Sequence, residues 1–187
     1  MKNILIILMT KTKDTNYINS FMKTFKNLKA ILFFKMWYDK DLLLFIKNNN
    51  IDGIILSGSQ YRVLKTKQAT IPKKILTLNI PILGICYGYQ WLIKTLCGKD
   101  CLSTFKKKNK RKHQIKINEP FRIIKSYYKF NHFDYITKVP NTWKILIKKK
   151  EQIWMAYNKE KKIIGIQFHP ESSNIGKIFY KKWLNFL

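Results

Sequence analysis

The sequence predicts an α/β fold in three layers, a mostly parallel central sheet with helices on both faces. Three observations carry this. Short, continuous apolar runs recur at residues 3–9, 80–85 and 163–168, as expected of strands buried on both faces. Stretches with helical spacing of apolar residues alternate with the strand signals. The loop Ser57-Gly58-Ser59, then Cys86, then His169, each fall just past an apolar run. Sites in open parallel sheets form beyond the carboxyl ends of the strands.

The elements follow in order. Residues 3–9 form a buried parallel strand closed by polar residues. Residues 15–29 place Tyr17, Ile18, Phe21, Met22, Phe25 and Leu28 on one face of an amphipathic helix. Residues 30–34 read as a second strand, and 39–48 as a second helix with Asp39 as its N-cap. Residues 52–59 are a strand running into a small-residue loop. Residues 80–85 are another buried strand, followed directly by a helix over 89–96. From residue 113 the pattern shortens to strand-like pieces at 113–117 and 143–147. Residues 163–168 are the last clear strand, and 174–187 a closing helix with Ile175, Ile178, Phe179, Trp183, Leu184 and Phe186 apolar. With no internal repeat and no Pro/Gly-rich linker, residues 1–187 read as a single domain.

Composition excludes several classes. Hydrophobic content of 46% and aromatic content of 14% fit a globular chain, and the apolar stretch at 4–9 is too short for a membrane span. The three cysteines, Cys86, Cys97 and Cys101, have no metal-ligand spacing. The expectation is a reduced, cytoplasmic protein with no metal, no cofactor and no membrane partner, in which Cys97 and Cys101 are small apolar fillers. The net charge of +27 invites a nucleic-acid reading, but of 37 basic residues only Arg62, Arg111 and Arg122 are arginines. Sites that read nucleic acid draw on arginine for bidentate contacts. Over-used Lys, Asn and Ile fit AT-rich coding, so no specific nucleic-acid partner is expected and the basic run at 106–112 reads as a solvated loop.

The chemistry resides in two segments. Cys86 lies between Gly84 and Gly88, after a strand and before a helix. Flanking glycines permit a sharp turn, and a helix N-terminus stabilises an anion placed there. His169 can withdraw a thiol proton and later return it, and Glu171, two residues on, can orient the imidazole. The N–H of Tyr87, with a second from the Gly58-Ser59 loop, can form an oxyanion hole.

With these residues in view, the chain resembles a class I (triad) glutamine amidotransferase. The segment 81–90, with Gly84-Ile85-Cys86-Tyr87-Gly88-Tyr89-Gln90, resembles the family's P-x-L-G-I-C-x-G-x-Q. Gly165-Ile166-Gln167-Phe168-His169-Pro170-Glu171 resembles G-x-Q-F-H-P-E, Leu56-Ser57-Gly58-Ser59 the S-G-G-P loop, and Leu96-Cys97-Gly98-Lys99 the G-G-K that ends the nucleophile helix. The resemblance implies hydrolysis of the L-glutamine side-chain amide by Cys86, His169 and Glu171, with Gln90 among the substrate-binding residues. The ammonia is then expected to pass to a separate ATP-dependent synthetase subunit.

Asn131-His132-Phe133-Asp134 resembles the S-H-x-D of the glutaminase part of GMP synthase, which implies that His132 and Asp134 lie near a synthetase interface. The tyrosine after the nucleophile and the chain length fit free-standing subunits of that type. Other readings stay open. Ser172 looks more like the glutaminases of anthranilate, aminodeoxychorismate or carbamoyl-phosphate synthase; a γ-glutamyl hydrolase of the same fold and a catalytically impaired regulatory homologue share the core motifs. The chain departs from the family pattern in three places. Ser59 and Gln60 replace the second glycine and the proline of S-G-G-P, the stretch after Gly98 carries lysines in place of a Glu- and Gly-containing substrate loop, and the segment between Gly58 and Pro81 is short.

Overall fold

The computed structural model describes residues 1–118, 123–173 and 175–187, and at 123 and 124 the backbone only. Asn174, the expected first residue of the closing helix, lies outside the described residues.

Alternation along β1 (Lys2–Leu8) sorts the core into two halves. Ile4, Ile6 and Leu8 join one apolar cluster with Phe21, Phe25, Phe179 and Trp183. Leu5 and Ile7 join another with Leu42, Ile46, Trp91 and Leu92. The first set of partners comes from α1 (Thr15–Phe25) and α4 (Gly176–Leu184), the second from α2 (Leu42–Asn48) and α3 (Tyr87–Cys97). The sheet is therefore a middle layer covered on both faces, the three-layer α/β arrangement that the apolar runs predict.

The remaining strands are β2 (Ala30–Met36), β3 (Gly53–Leu56), β4 (Ile82–Ile85), β5 (Leu102–Ile117), β6 (Ile123–Ile136), β7 (Lys144–Lys149), β8 (Gln152–Asn158) and β9 (Ile163–Ile166). Seven form the main sheet in the order β2-β1-β3-β4-β9-β8-β7. The first five positions of that order are parallel, and β8 and β7 add antiparallel pairs. Every residue of β3, β4 and β9 is buried, as central parallel strands require. Their carboxyl ends lead to Ser57, Cys86 and Gln167 on one rim.

Several expectations are corrected. The basic run at 106–112 is not a loop: it lies within β5, which pairs antiparallel with β6 as a separate two-stranded sheet. Asn109 pairs with His132 and Arg111 with Phe130, while Ile115 and Ile117 anchor the strand in the core. The lysines are carried outward, and the register shifts between Thr104 and Asn109. Asp39 does not cap the second helix. α2 starts at Leu42 after Asp41, and the Asp39 carboxylate accepts from the Met36 N–H at 2.9 Å. The first helix stops at Phe25, and the closing helix spans only Gly176–Leu184. Cys97 and Cys101 are not separate thiols but a disulfide. Gly98, at φ +91°, ends α3, and the 3₁₀ turn Lys99–Cys101 brings the two Cα atoms to 6.1 Å.

Candidate active site

The turn after β4 is built around a strained cysteine. Cys86 has φ +50° and ψ −101°, a conformation that costs a non-glycine residue on the order of 1–3 kcal/mol. Its neighbours hold it there. The Cys86 N–H donates to the Ile166 carbonyl at 2.7 Å, and the Gly88 N–H to the Ser57 carbonyl at 3.1 Å. Position 88 must be glycine, because a Cβ there would lie 2.3 Å from the Leu56 carbonyl oxygen. The thiol is 3% exposed. Its Sγ accepts from Gln167 Nε2 at 3.5 Å and lies 4.0 Å from the Asn131 carbonyl oxygen.

His169 arrives from β9 and is pinned by its own backbone, whose N–H donates to the Lys129 carbonyl at 3.0 Å on β6. A 3₁₀ turn, Pro170–Ser172, then folds Glu171 back under the ring, and His169 Nδ1 meets Glu171 Oε1 at 2.7 Å. Burial pushes the imidazole pKa down, but the Glu171 carboxylate and the Cys86 sulfur outweigh it and raise it to about 10. Nε2, the other ring nitrogen, is buried and meets no geometric hydrogen-bond partner among the described residues.

Tyr17, on α1, completes this arrangement. Its Oη donates to the same Glu171 oxygen at 2.9 Å and accepts from the Gly58 N–H at 3.0 Å. Burial, and after it the Glu171 carboxylate, push the phenol far above its ordinary pKa, so it stays a donor. Gly58 packs flat against the pair: a Cβ there would lie 2.8 Å from His169 Cε1 and 3.1 Å from Tyr17 Oη.

This geometry corrects the expected oxyanion donors. The Gly58 N–H is taken by Tyr17 and is not free. The Tyr87 N–H, at the first helical position of α3, and the Ser59 N–H have no acceptor among the described residues. Ser59 Oγ donates to the Met9 carbonyl at 2.6 Å and accepts from the Tyr61 N–H at 2.9 Å, which fixes the loop from both sides. Ser59, Cys86 and Tyr87 line one cavity of about 90 Å³ together with Arg62, Gln90, Asn131 and His132.

The sequence motif places His132 and Asp134 near a partner surface. Both residues are buried, at 4% and 2% exposure, and line this cavity. Two residues apart on β6, they share one face of the strand. His132 Nδ1 meets the Asp134 carbonyl at 3.0 Å, and burial, more than any neighbour, lowers its pKa to about 4, which leaves it neutral. The Asp134 carboxylate accepts from Arg62 Nη2 at 3.1 Å and from the Leu64 N–H at 3.2 Å. Gln90 also points inward: its Nε2 donates to the Asp134 carbonyl and to Gln167 Oε1 at 3.2 Å, so it braces the wall.

Sequence reasoning missed Tyr17, Gln167 and Arg62. Helical periodicity counts Tyr17 as an apolar position, and only its hydroxyl, invisible to periodicity, gives it a polar role. Gln167 stands inside a quoted motif with no role attached. No group of three or more His, Cys, Asp or Glu able to hold a metal occurs among the described residues, and no helix among them is long and apolar enough to cross a membrane.

A thiol on a strained strand-to-helix turn, a buried imidazole and a carboxylate, all at the rim of a parallel sheet, define a class of amide-cleaving sites. The chain belongs to the class-I glutamine amidotransferases: that family's model, Glutamine amidotransferase class-I, matches residues 14–177. It is an enzyme of that family, related to GMP synthases. GMP synthase [glutamine-hydrolyzing] of Borreliella burgdorferi (strain N40) is 40% identical over 135 residues, covering 67% of this chain and 25% of its own length. The protein of the same name from Wigglesworthia glossinidia brevipalpis is 32% identical over 176 residues, covering 87% of this chain and 33% of its own. The chain thus spans between a quarter and a third of the length of these relatives. The fold is shared with a protein of Thermoplasma acidophilum described provisionally as a GMP synthase subunit (TM-score 0.75, 18% identity, 99% of this chain and 93% of that one). It is shared as well with the glutaminase domain of Trypanosoma brucei CTPS with bound acivicin (TM-score 0.68, 11% identity, 100% and 92%).

Proposed function

We propose that this chain hydrolyses the side-chain amide of L-glutamine through a Cys86 thioester and supplies the ammonia to a separate GMP synthetase. One observation carries the reading: His169 is held by Glu171 at 2.7 Å, with Nε2 unpartnered, beside the only free thiol among the described residues. The relatives' names support glutamine and GMP as the ends of the pathway.

In the first half-reaction Cys86 Sγ, its proton already held by His169, whose pKa is about 10, bonds to the amide carbon. The carbonyl oxygen becomes an oxyanion facing the N–H groups of Tyr87 and Ser59; one such donor contributes about 3–4 kcal/mol where it has been removed. The imidazolium, held against Glu171, returns the proton to the amide nitrogen. The C–N bond breaks and ammonia leaves. Water then attacks the thioester, His169 takes its proton, and collapse of the second tetrahedral intermediate releases glutamate and restores the thiol. Arg62, partly fixed by Asp134 but with a buried, unpartnered Nε at the cavity, supplies a cation for the glutamine α-carboxylate.

The test is glutamate release from glutamine by wild type and Cys86→Ala, each with and without a GMP synthetase. Wild type is expected to turn over and the variant to be silent. Equal rates in the two proteins would sink the assignment, and ammonia release that never reaches XMP would sink the partner.

A further inference from the structure

A second cavity, which shares Lys108 with the thiol cavity, is larger than that cavity. It measures about 350 Å³ against about 90 Å³ for the thiol cavity, and that places it within the usual range for small-molecule sites. β5 forms one wall and the β7–β8 turn the other. Lys107, Lys108, Arg111, Lys149 and Lys150 line it, and no carboxylate does. Glu151, the acid that follows Lys150, does not line it; its carboxylate accepts from Tyr135 Oη at 3.5 Å.

Positive charge alone says little in a chain of net charge +27. Three features set this place apart. Its cations converge on a concavity, where like charges gathered without an anion raise the local potential. Its floor is aromatic. Half-buried Phe105 stacks on Tyr135 at 4.4 Å, and Trp154 packs on Phe130 at 4.7 Å with Lys149 Nζ 5.2 Å from its ring centroid. Between these groups stand two neutral amides: Asn109, whose Nδ2 meets His132 Nε2 at 3.4 Å and leaves Oδ1 to accept, and Gln152, whose Oε1 accepts from Trp154 Nε1 at 3.2 Å and leaves Nε2 to donate. The field is already felt by His113 at the cavity edge, whose pKa is held below its ordinary value by burial and then by Lys149 and Arg111.

We propose that this cavity binds a nucleotide, with its ring against Phe105, its base edge on Asn109 and Gln152, and its phosphates among Lys107, Arg111, Lys149 and Lys150. The proposal goes beyond the glutaminase reading and does not depend on it. Lys108 borders both cavities and lies 6.0 Å from the Phe133 ring, so a ligand here sits next to the thiol site.

Calorimetry on the full chain at near-physiological salt, without glutamine, tests binding separately from turnover. The probes are ATP, inorganic tripolyphosphate and adenosine. ATP is expected to bind at one equivalent, at least tenfold tighter than either of the others. Arg111→Ala with Lys149→Ala is expected to weaken ATP at least tenfold, and Phe105→Leu to weaken ATP but not tripolyphosphate. Lys40→Ala with Lys47→Ala, two exposed lysines outside the cavity, is the control and should change nothing. Circular dichroism of each variant checks that it folds. The proposal is overturned by no binding, by tripolyphosphate binding as tightly as ATP, or by equal loss in the control pair. An oligonucleotide that binds far tighter than ATP and loses affinity in both pairs marks a diffuse nucleic-acid surface and overturns it too.

Discussion

Replacing Tyr17 by phenylalanine isolates one oxygen atom that serves two loops. The ring keeps its place in the core, so no cavity opens, but two hydrogen bonds disappear: Oη to Glu171 at 2.9 Å and the Gly58 N–H to Oη at 3.0 Å. Glu171 has little in reserve, since its Oε2 is buried without a partner and its Oε1 keeps only His169. Leaving the Gly58 N–H unmet costs about 1–3 kcal/mol of stability, a Tm fall of roughly 2–12 °C in a chain of this size. The lost charge-assisted bond is worth about 1.5–3 kcal/mol, but it exists in the ground state as well, so only part of it appears in the rate. A kcat loss of about tenfold is expected, with KM nearly unchanged, because Tyr17 acts through Glu171 and His169 and does not line the cavity at the thiol. The assay is steady-state glutaminase kinetics across pH, paired with thermal unfolding. Tyr180→Phe is the control: that phenol is buried but has no partner, so its removal should leave both kcat and Tm near wild type. A Tyr17→Phe protein that loses stability yet keeps full kcat and the wild-type pH profile refutes the positioning role.

Gly58→Ala places a Cβ 2.8 Å from His169 Cε1, so the ring must retreat by roughly half an ångström to restore ordinary contact. Since a 1 Å misplacement can cost about 10²-fold, a loss near tenfold in kcat/KM is expected, measured beside a spectrum that shows the fold retained. His169 has a folded pKa of about 10, above the unfolded value near 6.5; the stabilisation from its ion pair is complete below about pH 6.5 and is lost as pH rises through 10. Denaturant unfolding from pH 6.5 to 10 should show this decline, and Glu171→Gln, which removes the largest raising influence, should flatten it. His132 has the opposite sign: with a folded pKa of about 4 it contributes most above pH 6.5, and that contribution fades as pH falls towards 4. His132→Asn should therefore unfold less steeply over pH 6.5 to 4 than wild type. Arg62→Met leaves Asp134, 1% exposed in its side chain, with only the Leu64 N–H. Breaking a buried pair this way costs about 3–5 kcal/mol, and Arg62 is partly exposed, so the lower end is expected in the same unfolding assay.

What was legible in the sequence follows a physical divide. β1, β4 and β9 are central parallel strands, buried on both faces, and continuous apolar runs announce such strands without reference to anything else. β5 and β6 are not of that kind. They pair with each other beside the main sheet, and their burial comes from scattered residues such as Ile115, Tyr128 and Phe130, set among outward lysines. Half-exposed strands rich in lysine look like solvated loops until the partner strand is known. The disulfide was hidden for a related reason. Two cysteines four apart meet only because α3 stops at Gly98 and turns, and that turn is a tertiary outcome. The thiol, imidazole and carboxylate were legible because each stands at a strand end, where topology and not side-chain packing decides position.

The Ser59 loop shows how far a departure from a family pattern can mislead when read in one dimension. A Cβ where glycine is usual suggests a backbone unable to turn its N–H to the oxyanion. The structure supplies a different logic. Ser59 is not among the residues with positive φ, so its side chain carries no conformational penalty, and its hydroxyl ties the loop to Met9 and Tyr61. Glycine would lose both bonds and gain unfolded-state entropy. The free Ser59 N–H is then held next to the cavity before substrate arrives, which is what an oxyanion donor needs in order to spend no energy on reorganisation. On this logic Ser59→Gly, often expected to restore a family-like loop, should lower kcat and leave KM near wild type. A rise in kcat would mean that the loop must flip to act, and the preformed donor would have to be given up.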